Sequence, residues 1–83
     1  MEKAEILRIL QKEIAEGILN IPQKIIQPQE SLISSGLIDS FSLVDLAMLV
    51  EDKFNVELDD TELNSDIFDN LDQLITIILD RID

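Results

Sequence analysis

The side chains available for chemistry in this chain are mainly hydroxyls and carboxylates. The 83 residues include no cysteine, no histidine and no tyrosine. Without cysteine there is no thiolate nucleophile, disulfide or cysteine-ligated metal, and without histidine the usual general base is missing. A hydrolytic or redox site is therefore hard to assemble, and we expect that the protein is not an enzyme.

The hydroxyl of most interest is that of Ser40, in the segment Gly-Leu-Ile-Asp-Ser-Phe at positions 36–41. The segment leads into a predicted helix that begins at about Ser40, so Asp39 or Ser40 can supply the N-cap oxygen. The same position also suits a phosphodiester, because the N–H groups and the positive dipole end of a first helical turn tolerate phosphate. Taken alone, Ser40 therefore has two interpretations: a capping residue or a modification site.

Apolar periodicity predicts three main helices and one short helix around this segment. The main helices are expected at about residues 2–16, 40–54 and 71–82, with the short one after Asp59, where Glu62 completes a capping box. The connection at about 20–39 is long and holds both prolines. We expect its apolar residues to lie across the core, and we expect residues 1–83 to form one domain. The apolar residues of the connection are Ile25, Ile26, Leu32, Ile33, Leu37 and Ile38. The residues of the last helix that are expected to face the core are Leu71, Leu74, Ile75, Ile78, Leu79 and Ile82.

The second helix carries two apolar stripes, which is more than one buried face requires. The first stripe is expected to face the core and consists of Leu43, Leu46, Ala47, Val50 and Phe54. The second stripe, Phe41, Val44 and Met48, has two interpretations. It can pack under the long connection or the third helix, or it can form an exposed contact surface.

The segment at 36–41, its continuation Leu-Val-Asp-Leu at 43–46 and the order of the helices resemble the acyl carrier protein family and its peptidyl and aminoacyl relatives. The resemblance covers essentially the whole chain. It implies an all-α fold, a small antiparallel bundle of three main helices plus one short helix. It also implies that Ser40, preceded by the motif residue Asp39, receives phosphopantetheine covalently from coenzyme A. The protein would then hold acyl or aminoacyl intermediates as thioesters on that arm and present them to enzymes.

The resemblance also implies the partners and the surface that they contact. The partners would be a phosphopantetheinyl transferase (holo-carrier synthase) and acyl- or aminoacyl-loading and acyl-transfer enzymes with basic docking surfaces. The second apolar stripe would be the centre of contact, and methionine suits a surface that fits several partners. The partner-binding residues would be Phe41, Val44, Asp45, Met48, Glu51 and Asp52, with Asp39 beside them.

Two positions depart from the pattern usual in carriers of fatty-acid synthesis. Ser42 stands where those carriers usually have an acid, and Lys53 stands where they tend to have another. The sequence of the motif is more similar to that of stand-alone or specialised carriers, including aminoacyl and D-alanyl carriers. The resemblance therefore leaves open which cargo the protein carries.

The net charge of −12 is concentrated in the last two-thirds of the chain. Between Ile25 and Asp80 there are thirteen acidic residues, and Lys53 is the one base. We expect basic protein surfaces as partners, and neither nucleic acid nor membrane insertion. The N-terminus is charged where a signal peptide is apolar, and the longest apolar run is short, so a soluble, cytoplasmic monomer is expected.

Two other classes compete with a carrier. An acidic helical interaction module without modification would share the composition and the fold. A calcium sensor is disfavoured, because the acids between Asp59 and Asp69 include no twelve-residue loop with a central glycine and a terminal glutamate.

Overall fold

The computed structural model describes residues 1–82 and has three α-helices. Helix α1 spans Lys3–Glu13, α2 spans Ser42–Phe54 and α3 spans Leu71–Arg81. A short 3₁₀ helix, Asp60–Glu62, lies between α2 and α3. No strand occurs among the described residues, so the prediction of an all-helical bundle with three main helices and one short helix is confirmed.

Helix α1 ends in a π turn, Ile14–Ile18, and not in a continuation of the α-helix to residue 16. The Leu19 N–H donates to the carbonyl of Ile14 at 2.9 Å, five residues back. The wider turn keeps both Ile14 and Ala15 buried, and Asn20, with φ of 59°, ends it. Helix α1 packs on α3, and the π turn contacts α2.

The core is mainly aliphatic and takes one face from each α-helix; its two aromatic members are Phe54 at the end of α2 and Phe68 just before α3. Among the described residues no polar or charged side chain is buried. Its helical members are Ile6, Leu10 and Ile14 on the first helix and its π turn, Leu43, Leu46, Val50 and Phe54 on α2, and Leu71, Leu74, Ile75 and Ile78 on α3.

The long connection crosses the core, as predicted, although not through every apolar residue. Ile26, Leu32 and Ile38 are at most 1% exposed. Ile25 was expected to be inside and is exposed, because its neighbour Ile26 takes the inward position. Leu79 in α3 was also expected to be inside and is exposed, because Ile75 and Ile78 already fill the inward side of those turns.

Candidate functional site

Asp39 supplies the cap at the start of the second helix. Its Oδ1 accepts the Ser42 N–H at 2.8 Å, and its carbonyl accepts the Leu43 N–H at 3.2 Å. This is the geometry of an N-cap with its third helical residue, one turn before the helix proper. Hydrogen bonds from the Ser42 backbone, and then from the Ser42 side chain, hold the pKa of Asp39 below its ordinary value. Residues 40–41 therefore form the first turn leading into α2.

Because Asp39 is the cap, the hydroxyl of Ser40 is left free. Ser40 is exposed, and its Oγ forms no hydrogen bond with any described residue. Neighbouring hydroxyls are engaged: Ser34 donates to Asp69, and Ser35 donates to the carbonyl of Ser31 at 2.7 Å. The interpretation of Ser40 as the capping residue is thus wrong, since its neighbour has that role.

The segment before Ser40 is anchored on both sides of a tight turn. The Gly36 N–H donates to the Ile33 carbonyl at 3.0 Å, and the Ile38 N–H donates to the Leu32 carbonyl at 2.8 Å. Gly36 has φ of +83°, a conformation that costs a residue with a Cβ about 1–2 kcal/mol. Leu32 and Ile38 are buried on either side of the turn. The site therefore sits on a loop whose two ends are fixed in the core.

Asp69 connects this loop to the start of α3. Its Oδ1 accepts the N–H groups of Ile33 at 2.7 Å and of Ser34 at 2.9 Å. Its Oδ2 accepts the hydroxyls of Ser31 and Ser34. These hydrogen bonds, those from Ser34 foremost, hold the pKa of Asp69 far below its usual range. The cap of α3 is Asn70, whose side chain accepts the Gln73 N–H at 2.8 Å, so the neighbouring Asp69 is free to hold the loop.

The second apolar stripe of α2 is exposed. Phe41 is 87% exposed, Met48 63% and Val44 52%, whereas the first stripe is buried except for Ala47, which is half-buried. The packing interpretation of the second stripe is therefore wrong. The spacing of three residues from Phe41 to Val44 and of four from Val44 to Met48 places the three side chains on one side of the helix, next to Ser40.

Exposed carboxylates border this stripe. Asp45, Glu51 and Asp52 are all exposed, and they lie along the same side of α2. With Met48, they line an open groove of roughly 800 Å³ between α2 and the end of α1. The one base of this region, Lys53, is 3.6 Å from a carboxylate oxygen of Glu13 on α1. Its charge is therefore offset by a neighbour, and the surface around Met48 remains acidic.

The chemistry of the site suits a serine phosphodiester. Ser40 is exposed, its side chain forms no hydrogen bond with any described residue, and it lies in the turn that leads into α2, where the positive dipole end of the helix lowers the cost of an added negative charge. The Asp39 carboxylate is turned to the N–H of Ser42, which reduces its repulsion of a phosphate on the next residue. Among residues 1–82, no group of three or more acidic side chains is placed to hold a metal ion. No helix of the described chain is long and apolar enough to cross a membrane.

Curated proteins of two kinds are similar to this chain. An acyl carrier protein of Acidothermus cellulolyticus is 34% identical over 65 residues, which cover 78% of this chain and 76% of that protein. A D-alanyl carrier protein of Leuconostoc citreum is 33% identical over 73 residues, covering 88% and 86%. An acyl carrier protein of Thermobifida fusca is 37% identical over 51 residues, 61% of this chain, and the match spans 65% of its length, just under two thirds. No solved structure matches the chain significantly.

A family match covers most of the chain and includes the whole site. Residues 12–78 match the family described as phosphopantetheine attachment site. That range contains the π turn, the anchored loop, Ser40, α2 and most of α3. The prediction of family and cofactor made from the motif at 36–41 is thereby confirmed. With the helical bundle and the free serine at the head of α2, the chain belongs to the carrier proteins whose cofactor is a covalently attached phosphopantetheine.

Proposed function

We propose that the protein holds acyl or aminoacyl groups as thioesters on a phosphopantetheine arm attached to Ser40, and presents them to partner enzymes. The observation that carries the proposal is the free, exposed Ser40 hydroxyl beside a cap supplied by Asp39. When bound, the group supplies the thiol that the chain lacks, and with it the thioester chemistry. The protein's own part is presentation, and catalysis belongs to the partners.

Attachment requires one bond to form at Ser40. The Oγ bonds to the phosphorus that carries the pantetheine arm of coenzyme A, and the pyrophosphate bond breaks, with adenosine bisphosphate leaving. The hydroxyl proton passes to a base of the transferase, because the neighbouring Asp39 carboxylate is turned to the Ser42 N–H and hydrogen bonds from Ser42 hold its pKa below the ordinary value. The anchored loop and the capped first turn keep the Oγ in place for this attack.

Intact-mass spectrometry tests the attachment site. The purified chain, coenzyme A and a broad-specificity phosphopantetheinyl transferase should give one added phosphopantetheinyl group. Ser40→Ala should abolish the addition, and Ser42→Ala should retain it as the matched control. Modification that persists in Ser40→Ala, or maps to Ser42, would contradict the assignment. An unmodified product under conditions that load a reference carrier would favour the acidic interaction module.

Docking on α2 is the second part of the proposal. The exposed stripe Phe41, Val44 and Met48 provides apolar contact, and Asp45, Glu51 and Asp52 provide charge around it. A basic partner surface complements both features. The partners are a transferase and the enzymes that load and transfer the cargo. In this proposal residues 1–83 form one carrier domain, and the protein acts as a cytoplasmic monomer without nucleic acid or membrane insertion.

The cargo can be identified by incubating the modified protein with loading enzymes. Holo protein would be incubated separately with an acyl-loading ligase and a D-alanine-loading ligase, and the bound mass recorded. Ser42 and Lys53 replace acids that carriers of fatty-acid synthesis tend to have, so the D-alanyl ligase is the more informative arm. Loading by either ligase supports the carrier function, and loading by neither contradicts the proposed cargo classes.

A further inference from the structure

A second exposed surface has the opposite charge to α2. Arg8 and Lys12 are exposed on α1, four residues apart and therefore on the same side of the helix. Ile6 and Leu10, two residues from Arg8 in either direction, are buried, so Arg8 points away from the core. Neither base forms an ion pair with a described residue, whereas the other four bases do. We call this surface the α1 patch; it consists of Arg8, Lys12, Lys24 and Ile25, which line one groove, and of Ile21, which directly precedes the groove residue Pro22.

The apolar part of the α1 patch comes from a loop that is fixed in position. Ile25 is 69% exposed and Ile21 is exposed, while Ile26 between the loop and the helix is fully buried. The Gln11 side chain donates to the Ile26 carbonyl at 2.8 Å, and the Ile21 N–H donates to the Ala15 carbonyl at 2.8 Å. The loop is thus tied to α1, and the exposure of its two isoleucines follows from that packing.

Helix and loop enclose an open groove of roughly 300 Å³. Its bases are Arg8, Lys12 and Lys24, and Glu16 is the acid in its lining. Lys24 lies 3.0 Å from a carboxylate oxygen of Glu30, which offsets its charge. Glu16 lies four residues after Lys12 and offsets part of the remaining charge, so the groove keeps a net positive charge of about one, which Arg8 and Lys12 supply next to Ile25.

We propose that the α1 patch is a second docking surface, and that it binds a protein surface with acidic residues around an apolar centre. Charge complementarity favours that occupant over an extended polyanion. The chain has a net charge of −12, so the molecule as a whole repels an extended polyanion such as a nucleic acid or an anionic bilayer. Salt screens charges that are more than about 8 Å apart at physiological ionic strength. A small acidic patch on a protein can therefore contact Arg8 and Lys12 while the more distant acids of this chain repel it little. The surface does not depend on attachment at Ser40.

A titration of the isotope-labelled full-length chain tests the proposal. The probe is an amphipathic helical peptide with leucine on one side and glutamate on the other, followed by backbone amide shifts in NMR. We expect shifts centred on Arg8, Lys12 and residues 21–25, with binding that weakens as salt increases. The same peptide with lysine in place of glutamate should shift the amides of α2 instead.

Matched variants separate the patch from overall charge. Arg8→Gln with Lys12→Gln should weaken binding of the glutamate peptide about three- to tenfold, since two surface charge contacts are lost. Lys3→Gln with Lys53→Gln changes the net charge equally and should leave binding within about twofold. Equal weakening in both double variants would overturn the proposal. So would stronger binding of anionic phospholipid vesicles or duplex DNA than of the peptide, as would shifts that avoid the α1 patch.

Discussion

Two valines on α2 test the division of that helix into a buried and an exposed face. Val44→Ala and Val50→Ala remove the same two methyl groups from the same helix. Val50 is 0% exposed, so its truncation loses about 1.6 kcal/mol of transfer free energy and adds a cavity term. Val44 is 52% exposed and loses about half as much, and the better helix propensity of alanine, about 0.6 kcal/mol, nearly offsets it.

The propensity gain is common to both variants and cancels, so the expected difference in the free energy of unfolding is about 0.8 kcal/mol of transfer free energy plus a cavity term of about 1 kcal/mol, or about 2 kcal/mol in total. For a chain of this size it corresponds to a melting temperature roughly 8–16 °C lower for Val50→Ala than for Val44→Ala. The difference is a large fraction of the 4–12 kcal/mol expected for the whole domain, as an order of magnitude. Thermal melts followed by far-UV circular dichroism measure it.

The transferase rate, measured well below both melting temperatures, is the second readout. Val44→Ala should slow modification of Ser40, because its side chain lies in the proposed contact, while Val50→Ala should leave the rate of the folded protein nearly unchanged. Leu46→Ala and Met48→Ala form a second pair with the same expectation, since Leu46 is buried and Met48 is 63% exposed. If the two valine variants melted at the same temperature, the assignment of faces would be refuted. If Val44→Ala melted normally and kept the full rate, the docking surface would lie elsewhere.

Three further predictions concern charge, pH and the turn before the site. Glu51→Lys should slow transferase turnover roughly threefold at low salt and less at high salt, whereas Asp80→Lys on the last turn of α3 should leave turnover unchanged. Equal slowing by the two variants would contradict electrostatic steering of the transferase by the acids of α2. Hydrogen bonds from Arg81 lower the pKa of Glu62 from 4.5 to about 2, so this ion pair stabilises the fold above pH 4.5 and the contribution is lost as pH falls towards 2. Glu62→Gln, which can still form the capping box, should flatten that part of the stability–pH curve relative to wild type in denaturant titrations; parallel curves would contradict it. Gly36→Ala should destabilise the fold by about 1–2 kcal/mol because Gly36 has a positive φ, whereas Gly17→Ala in the π turn should be neutral or stabilising. Thermal melts of the two variants test this, and a lower melting temperature for Gly17→Ala than for Gly36→Ala would exclude the explanation by backbone conformation.

Local sequence patterns are enough to predict the helices, the family and a candidate position for the site. Each follows from local signals: the apolar spacing of α1, α2 and α3, the Asp59 and Glu62 capping box, and the run Gly-Leu-Ile-Asp-Ser-Phe at 36–41. Helical periodicity and caps depend on residues three or four positions apart, so they can be recognised without knowing the fold.

The roles of the residues around Ser40 depend on tertiary contacts. Local spacing allowed either Asp39 or Ser40 to cap α2, and the hydrogen bond from Ser42 assigns that role to Asp39. Asp69 reaches a loop thirty-five residues earlier in the chain, a contact that no local pattern indicates. Likewise, Ile25 and Ile26 are equivalent in sequence, and the neighbouring helix decides which one is buried. Pairings of this kind depend on which surfaces the folded chain brings together, because burial is a property of the packed whole and hydrophobicity alone does not rank neighbouring isoleucines.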